Sequence, residues 1–135
     1  MRQRHKPWAD DFIKENSHIV IPNADEHKGK WQTLFQNDQP IHLEIGTGKG
    51  QYIAGMAKQH PEINLIGIEV VQSGMVPAIQ KVLDEELKNV FLLNINAKDV
   101  RDIFAENEIS TIYLNFSDPW PKNRHEKRRL TYHTF

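Results

Sequence analysis

Gly46, Gly48 and Gly50 alternate with Thr47 and Lys49 in "LEIGTGKGQYI", and two glutamates, Glu44 and Glu69, lie on either side of them. Glycine adopts positive φ without strain and lets the main chain approach a ligand closely, so such a turn between a strand and a helix suits a nucleotide-like ligand. The spacing is GxGxG, whereas a dinucleotide pyrophosphate favours GxGxxG with the last glycine inside the helix. Taken alone, it is a weak signal, and a tight turn with no ligand is the other reading. Glu69 adds weight. It closes the apolar run "INLIGIE", 25 residues after Glu44, where a carboxylate can accept hydrogen bonds from ribose hydroxyls. Glu44 interrupts an apolar run, and a charge buried there needs a partner. Either a cationic ligand group such as an amino-acid ammonium or a neighbouring Arg or Lys would serve. Asn96, after a third apolar run, either bonds an adenine edge or caps a helix.

A second constellation lies in "NFSDPWPKNRHEKRRL", Asn115 to Leu130. Asp118 stands beside five cations: Lys122, Arg124, Lys127, Arg128 and Arg129. A carboxylate can read a nucleobase while arginines hold phosphates bidentately. The same residues would also make a solvated basic helix start. Pro119 and Pro121 each fix their own φ and stiffen the turn. Trp120 between them is either a packed wall or a surface on which a base stacks. A smaller cluster, Arg2, Arg4, His5 and Lys6, makes the amino-terminal arm basic.

These clusters are local, because Lys+Arg 17 against Asp+Glu 18 leaves a net charge of -1. The total therefore argues for no particular partner. At 135 residues the chain suits one domain. It contains no cysteine, so disulfides and thiolate metal sites are excluded, and the composition is compatible with the cytoplasm. No His/Asp/Glu run has metal-ligand spacing, so no metal is expected. No apolar run approaches the ~20 residues of a membrane span.

The elements that must position the glycines and carboxylates follow from periodicity. Pro7 opens a helix with Trp8 and Phe12 on one side, and "NADEHKGKW" reads as loop. "IHLEI", "INLIGIEV", "VFLLNI" and "STIYLNF" are four apolar strands. Between them come helices over "QYIAGMAKQH", over Gln72 to Lys88, and a short one over "AKDVRDIFAEN". Alternation of strand and helix predicts an α/β fold with a doubly wound parallel sheet buried on both faces. Residues 1–40 form an arm and helical lead-in, and 41–135 form the sheet domain. Leu130 to Phe135 reads as the start of another helix. The fourth strand would be an exposed apolar edge without a further strand, so the pattern is expected to continue in a longer protein.

The segments "MRQRHKPWADDF", "IHLEIGTGKGQYI", "IGIEV", "LNINA" and "LNFSDPWPKNRHEKRRLT" together resemble the class I S-adenosylmethionine-dependent methyltransferases. The likeness is nearest to the tRNA (guanine-7)-methyltransferase family. It implies a Rossmann-like sheet with about the first four strands present and later strands missing. It implies S-adenosylmethionine as cofactor, tRNA as partner, and a methyl group transferred to nitrogen 7 of a variable-loop guanosine. By position, it implies that Glu44, Gly46, Gly48, Gly50, Glu69, Asn96 and Asp118 bind the donor and that Asp118 is catalytic. It also implies that Lys122, Arg124, His125, Glu126, Lys127, Arg128 and Arg129 lie along the RNA. The family pattern continues past Phe135 with further strands, another substrate aspartate and a Thr-x-x-Glu motif, none of which this sequence contains.

Guanine nitrogen 7 carries a free lone pair at neutral pH, so its methylation needs no base and no nucleophilic triad, only positioning and field. "SDPWP" also resembles the Asp/Asn-Pro-Pro-aromatic turn of enzymes that methylate exocyclic amines. The basic run that follows favours the guanine-7 family. A non-catalytic fragment that holds RNA or donor is the alternative outside enzymology. A nicotinamide domain is disfavoured by the glycine spacing.

Overall fold

A computed structural model describes residues 7–96 and 99–114, together with the backbone of 128–130. Five strands form one sheet in the order β3-β2-β1-β4-β5. They are β1 (Ile41–Ile45), β2 (Asn64–Ile68), β3 (Val90–Leu93), β4 (Thr111–Leu114) and β5 (Arg128–Leu130). The first four run parallel, in registers that set Glu44 opposite Gly67 on one side and Tyr113 on the other. The order reverses at β1: the chain first builds outward through β2 and β3, then crosses to place β4 on the other flank. An open α/β sheet binds ligands at such a switch point, beyond the carboxyl ends of its strands.

Strand residues alternate between two packed faces, as a period of two requires. On one face Ile41, Leu43, Ile66, Ile68, Leu93 and Ile112 pack against Trp31, Phe35 and Phe104. Trp31 begins helix α2 (Trp31–Phe35) and is fully buried. Its indole Nε1 donates to the Ile103 carbonyl at 3.0 Å. Glu108 ties this layer together, its carboxylate accepting from the main-chain N–H of Gly29, Trp31 and Ala105. On the other face Leu65, Val90 and Leu92 pack against α3 (Gln51–Gln59) through Ile53 and Ala57. Helix α4 (Gln72–Asp84) adds Met75, Ala78, Ile79 and Val82. Helix α1 (Pro7–Glu15) lies on α4, and Gln72 donates to the Asp10 carboxylate where the two meet.

Several elements differ from the periodicity reading. The "NADEHKGKW" loop contains a 3-10 turn, Ala24–His27, entered through Asn23 at φ 54, and ends on α2. Helix α4 stops at Asp84, four residues early. Glu86 takes φ 53 and the Leu87 N–H returns to the Val82 carbonyl at 3.0 Å, a left-handed closing turn. A glutamate in that position gives no sequence signal, because glycine is the usual occupant. The "AKDVRDIFAEN" helix reduces to a 3-10 turn, Val100–Asp102. There Asp99 accepts from both the Arg101 N–H and its guanidinium, which holds the Asp99 carboxyl below its ordinary pKa and competes with a longer helix.

The sheet edges are also better covered than expected. Residues 19–21 run beside β3, exchanging main-chain bonds with Leu92 at 2.8 and 3.0 Å. Leu130, read as the start of a helix, instead closes β5, which pairs antiparallel with β4 and covers its outer edge. Residues 131–135 lie outside the described residues.

Gly67 in β2 is the tightest position under the site. A Cβ there would stand 2.5 Å from Thr47 Cγ2 and 2.7 Å from Ile53 Cδ1. Gly67→Ala should therefore destabilise the fold by about 1–3 kcal/mol through overpacking. Thermal unfolding would show a lowered midpoint, and an unchanged midpoint would mean that the glycine turn and α3 yield freely.

Candidate functional site

The carboxyl ends of β1, β2 and β3 lead directly into the residues singled out by chemistry. After Ile45 the chain turns sharply. The Gly46 and Thr47 N–H groups both donate to the Ile68 carbonyl, at 2.8 and 3.2 Å, and the Gly50 N–H returns to the Thr47 carbonyl at 2.9 Å. Gly46, Gly48 and Gly50 take φ of 84, 56 and 84, the left-handed region in which a side chain is strained. Gly50 then opens α3.

The three glycines do different work. A Cβ on Gly50 would lie 2.7 Å from the Cβ of Ala78, so its bareness lets α4 cross the start of α3. A Cβ on Gly48 would meet none of the described residues within 4 Å, so this glycine borders open space. Gly48 is therefore the position where main chain and ligand can approach each other. Gly46 supplies the first positive φ of the turn.

Glu69 faces this turn from the end of β2 and is 8% exposed. One carboxylate oxygen accepts from the Gly48 N–H at 2.6 Å and the other from the Val71 N–H at 3.1 Å. Val71 is the N-cap of α4, so a single side chain links the glycine turn to the start of that helix. An ionised carboxylate has about four acceptor positions. Two main-chain donors leave it capacity for a diol.

Glu44 is fully buried on the sheet face covered by α3 and α4, with Gly67 and Tyr113 as its register neighbours. Tyr113 bonds His42 Nδ1 through its hydroxyl at 2.9 Å, and the Tyr52 ring meets it edge-on with centroids 5.5 Å apart. Sequence reading passed over Tyr113, which the register sets opposite Glu44, and over His42 and Tyr52, which contact Tyr113. It also passed over Thr47 and Asn94. The Thr47 hydroxyl is buried and has no hydrogen-bond partner among the described residues. Asn94 bonds the carbonyls of Glu69 and Val70. Asn96 is exposed in the turn after β3.

Asp118 and Lys122, Arg124, His125, Glu126 and Lys127 lie outside the described residues. The connection that carries them leaves β4 at Leu114 and rejoins the sheet at Arg128, and these two residues are paired. Both of its ends are thus at the carboxyl rim, where the glycine turn and Glu69 stand. Arg128 and Arg129 occupy register positions beside Leu114 and Tyr113.

The residues present fit a nucleoside that carries a cationic amino-acid arm. Glu69 retains acceptor capacity beside the open space at Gly48, and Glu44 is a buried acid on the adjoining strand. The buried Thr47 hydroxyl, without a partner among the described residues, adds a further polar group to the turn. Among the described residues no group of three or more acidic or histidine side chains is arranged to hold a metal ion.

The fold has solved counterparts. A structure described as an "antibiotic related Methyltransferase" superposes with a TM-score of 0.56 at 20% identity, over 78% of this chain and 52% of that one. A Methanococcus maripaludis protein, described as a "putative s-adenosyl-l-methionine-dependent methyltransferase", gives 0.52 at 15% identity over 91% of this chain and 57% of that one. At such identities the likeness defines the fold alone: an open, Rossmann-like α/β sheet. A family model described as "Putative methyltransferase" matches residues 38–135, and the chain belongs to that methyltransferase family. Two curated proteins named tRNA (guanine-N(7)-)-methyltransferase, from Oceanobacillus iheyensis and Bacillus subtilis, are 66% and 63% identical to it. Both alignments cover all of this chain, and the chain spans 63% of the length of each relative.

The division of labour among the glycines is testable by alanine substitution. Gly48→Ala should cost about 1–2 kcal/mol, the left-handed backbone penalty alone. Gly50→Ala should cost more, because the overlap with Ala78 adds about 1–3 kcal/mol. Equal losses in denaturant unfolding would remove the packing role assigned to Gly50.

Proposed function

We propose that this chain carries the donor-binding part of a tRNA (guanine-7-)-methyltransferase. The reaction moves a methyl group from S-adenosylmethionine to nitrogen 7 of a guanosine in the tRNA variable loop. The observation that carries this reading is the end-to-end likeness to relatives of that name, joined to a carboxylate that faces a glycine turn at the switch point of the sheet.

When bound, S-adenosylmethionine supplies an electrophilic methyl group on a sulfonium. Glu69 would hold the ribose hydroxyls, Gly46, Gly48 and Gly50 would form the floor, and Glu44 would answer the ammonium of the methionine arm. Asn96 would meet the adenine edge. Asp118 would accept hydrogen bonds from the donor-bearing edge of guanine or from the donor's amino group, and so fix the angle of approach. Nitrogen 7 needs no deprotonation, so the protein's task is orientation in a shielded field, consistent with direct in-line displacement. Lys122, Arg124, His125, Glu126, Lys127, Arg128 and Arg129 would follow the tRNA backbone. In this reading the protein works on tRNA in the cytoplasm, without a metal, a membrane or DNA.

Methyl transfer to tRNAs with and without a variable-loop guanosine, assayed in the protein at the length of its relatives, tests the substrate. Only the first should be labelled, and equal labelling would overturn the target. Asp118→Ala should lower turnover by about 100-fold or more, a typical loss for a group that orients charge in the transition state, while tRNA affinity stays near its original value. Near-normal turnover would remove Asp118 from catalysis.

The basic tract has a separate test. If Arg128 and Arg129 meet phosphates, replacing both with Ala should make the slope of log affinity against log salt shallower. The change should be about 0.7–0.9 for each phosphate no longer neutralised. An unchanged slope would leave the tract outside the RNA interface.

A further inference from the structure

Asn94 stands at the end of β3, and its side-chain amide is directed at one turn. Its Nδ2 donates to the Glu69 carbonyl at 2.8 Å and to the Val70 carbonyl at 3.3 Å. Both acceptors are carbonyls, so the amide orientation is fixed by chemistry: only the NH2 group can face them. The strand ladder between β2 and β3 has its last pair at Ile68 and Leu93, and beyond it the Glu69 N–H still donates to the Leu93 carbonyl at 3.0 Å. The Asn94 side chain thus continues the ladder past the point where main chain can do so.

The consequence falls on Glu69. With its N–H tied to Leu93 and its carbonyl to Asn94, the residue is gripped from β3 on both sides of its Cα. From that fixed position its carboxylate reaches the Gly48 and Val71 N–H groups. The neighbouring Val70, held by the same amide, remains 57% exposed while Glu69 is buried. A turn that buries the polar residue and exposes the apolar one would relax the other way without such a grip.

We propose that Asn94 is a positioning residue of the methyl-donor site, holding the Glu69–Val71 turn so that one carboxylate can serve the glycine turn and the donor's ribose together. The proposal rests on the crevice being the donor site. Asn94 does not itself touch the reacting atoms.

Asn94→Asp is the sharp variant, because it keeps the shape and replaces the donor with an acceptor facing two carbonyls. Two measurements on this chain separate the possibilities. In the ligand-free protein, amide exchange at Gly48 and Val71 should quicken by about tenfold, the value of one charge-assisted hydrogen bond. Unchanged exchange would overturn the grip whether or not any ligand binds. S-adenosylhomocysteine affinity, measured by calorimetry below the unfolding transition of each variant, should fall by about tenfold or more. Glu69→Ala should weaken it as well, and adding Asn94→Asp to Glu69→Ala should cost little more, because both act through one carboxylate. Fully additive losses, or an affinity untouched by Asn94→Asp, would overturn the positioning role. No binding by the unaltered chain would instead overturn the donor-site reading, leaving the exchange result to decide the grip. Should Asn94→Asp fail to fold, Asn94→Ala removes the donor without adding a charge, and the same outcomes apply.

Discussion

Two hydrogen bonds to the Glu69 carboxylate hold the crevice in shape. Through them β2 is joined to the turn after β1 and to the first turn of α4. Main-chain bonds from Gly46 and Thr47 to the Ile68 carbonyl join the turn to β2, and beyond them the sheet has ended and α4 has not begun. A short neutral side chain could not span both donors. An unbonded carboxylate this deeply buried would cost several kcal/mol. The energetic demand and the geometric one are thus met by the same bonds. The acid is tolerable because it organises the turn, and the turn keeps its shape because the acid is there.

Packing beneath the crevice constrains it just as firmly. Gly67 leaves room under the turn for Thr47 and Ile53, and Gly50 leaves room for Ala78. Two absent side chains therefore let the glycine turn sit low between sheet and α4, with Gly48 bordering open space. Close packing is the reason this works, since a core at crystal-like density transmits even a methyl group's displacement to the main chain above it. The GxGxG pattern is accordingly a compound signal. Its last glycine answers to a helix and its middle one borders open space.

Much of this was legible in the sequence, and the reasons differ by element. β1, β2, β3 and β4 announced themselves because a sheet covered on both faces needs continuous apolar runs, and α3 because Ile53, Ala54 and Ala57 fall on one helical face before Pro61. Glu69 stood out because an acid ends such a run, and the structure gives it a use within the fold, accepting from the Gly48 and Val71 N–H groups. The end of α4 was not, since its left-handed residue is Glu86. Nor was the 3-10 turn at Val100–Asp102, decided by a side chain, Asp99, that competes with the helix. Asn94, Thr47 and the His42–Tyr113 pair were hidden for another reason. Their significance lies in strand register and main-chain partners, neither of which has a residue-level signature.

The register also bears on how charge is distributed in a nearly neutral chain. β5 pairs Arg128 with Leu114 and Arg129 with Tyr113, so the cationic tract joins the sheet at the strand whose other neighbour carries Glu44. The backbone positions of Glu44 and Arg129 thereby face each other across β4, two strand spacings or about 10 Å apart. In a chain whose net charge is -1, strand order rather than the total therefore sets acidic and basic residues on separate strands.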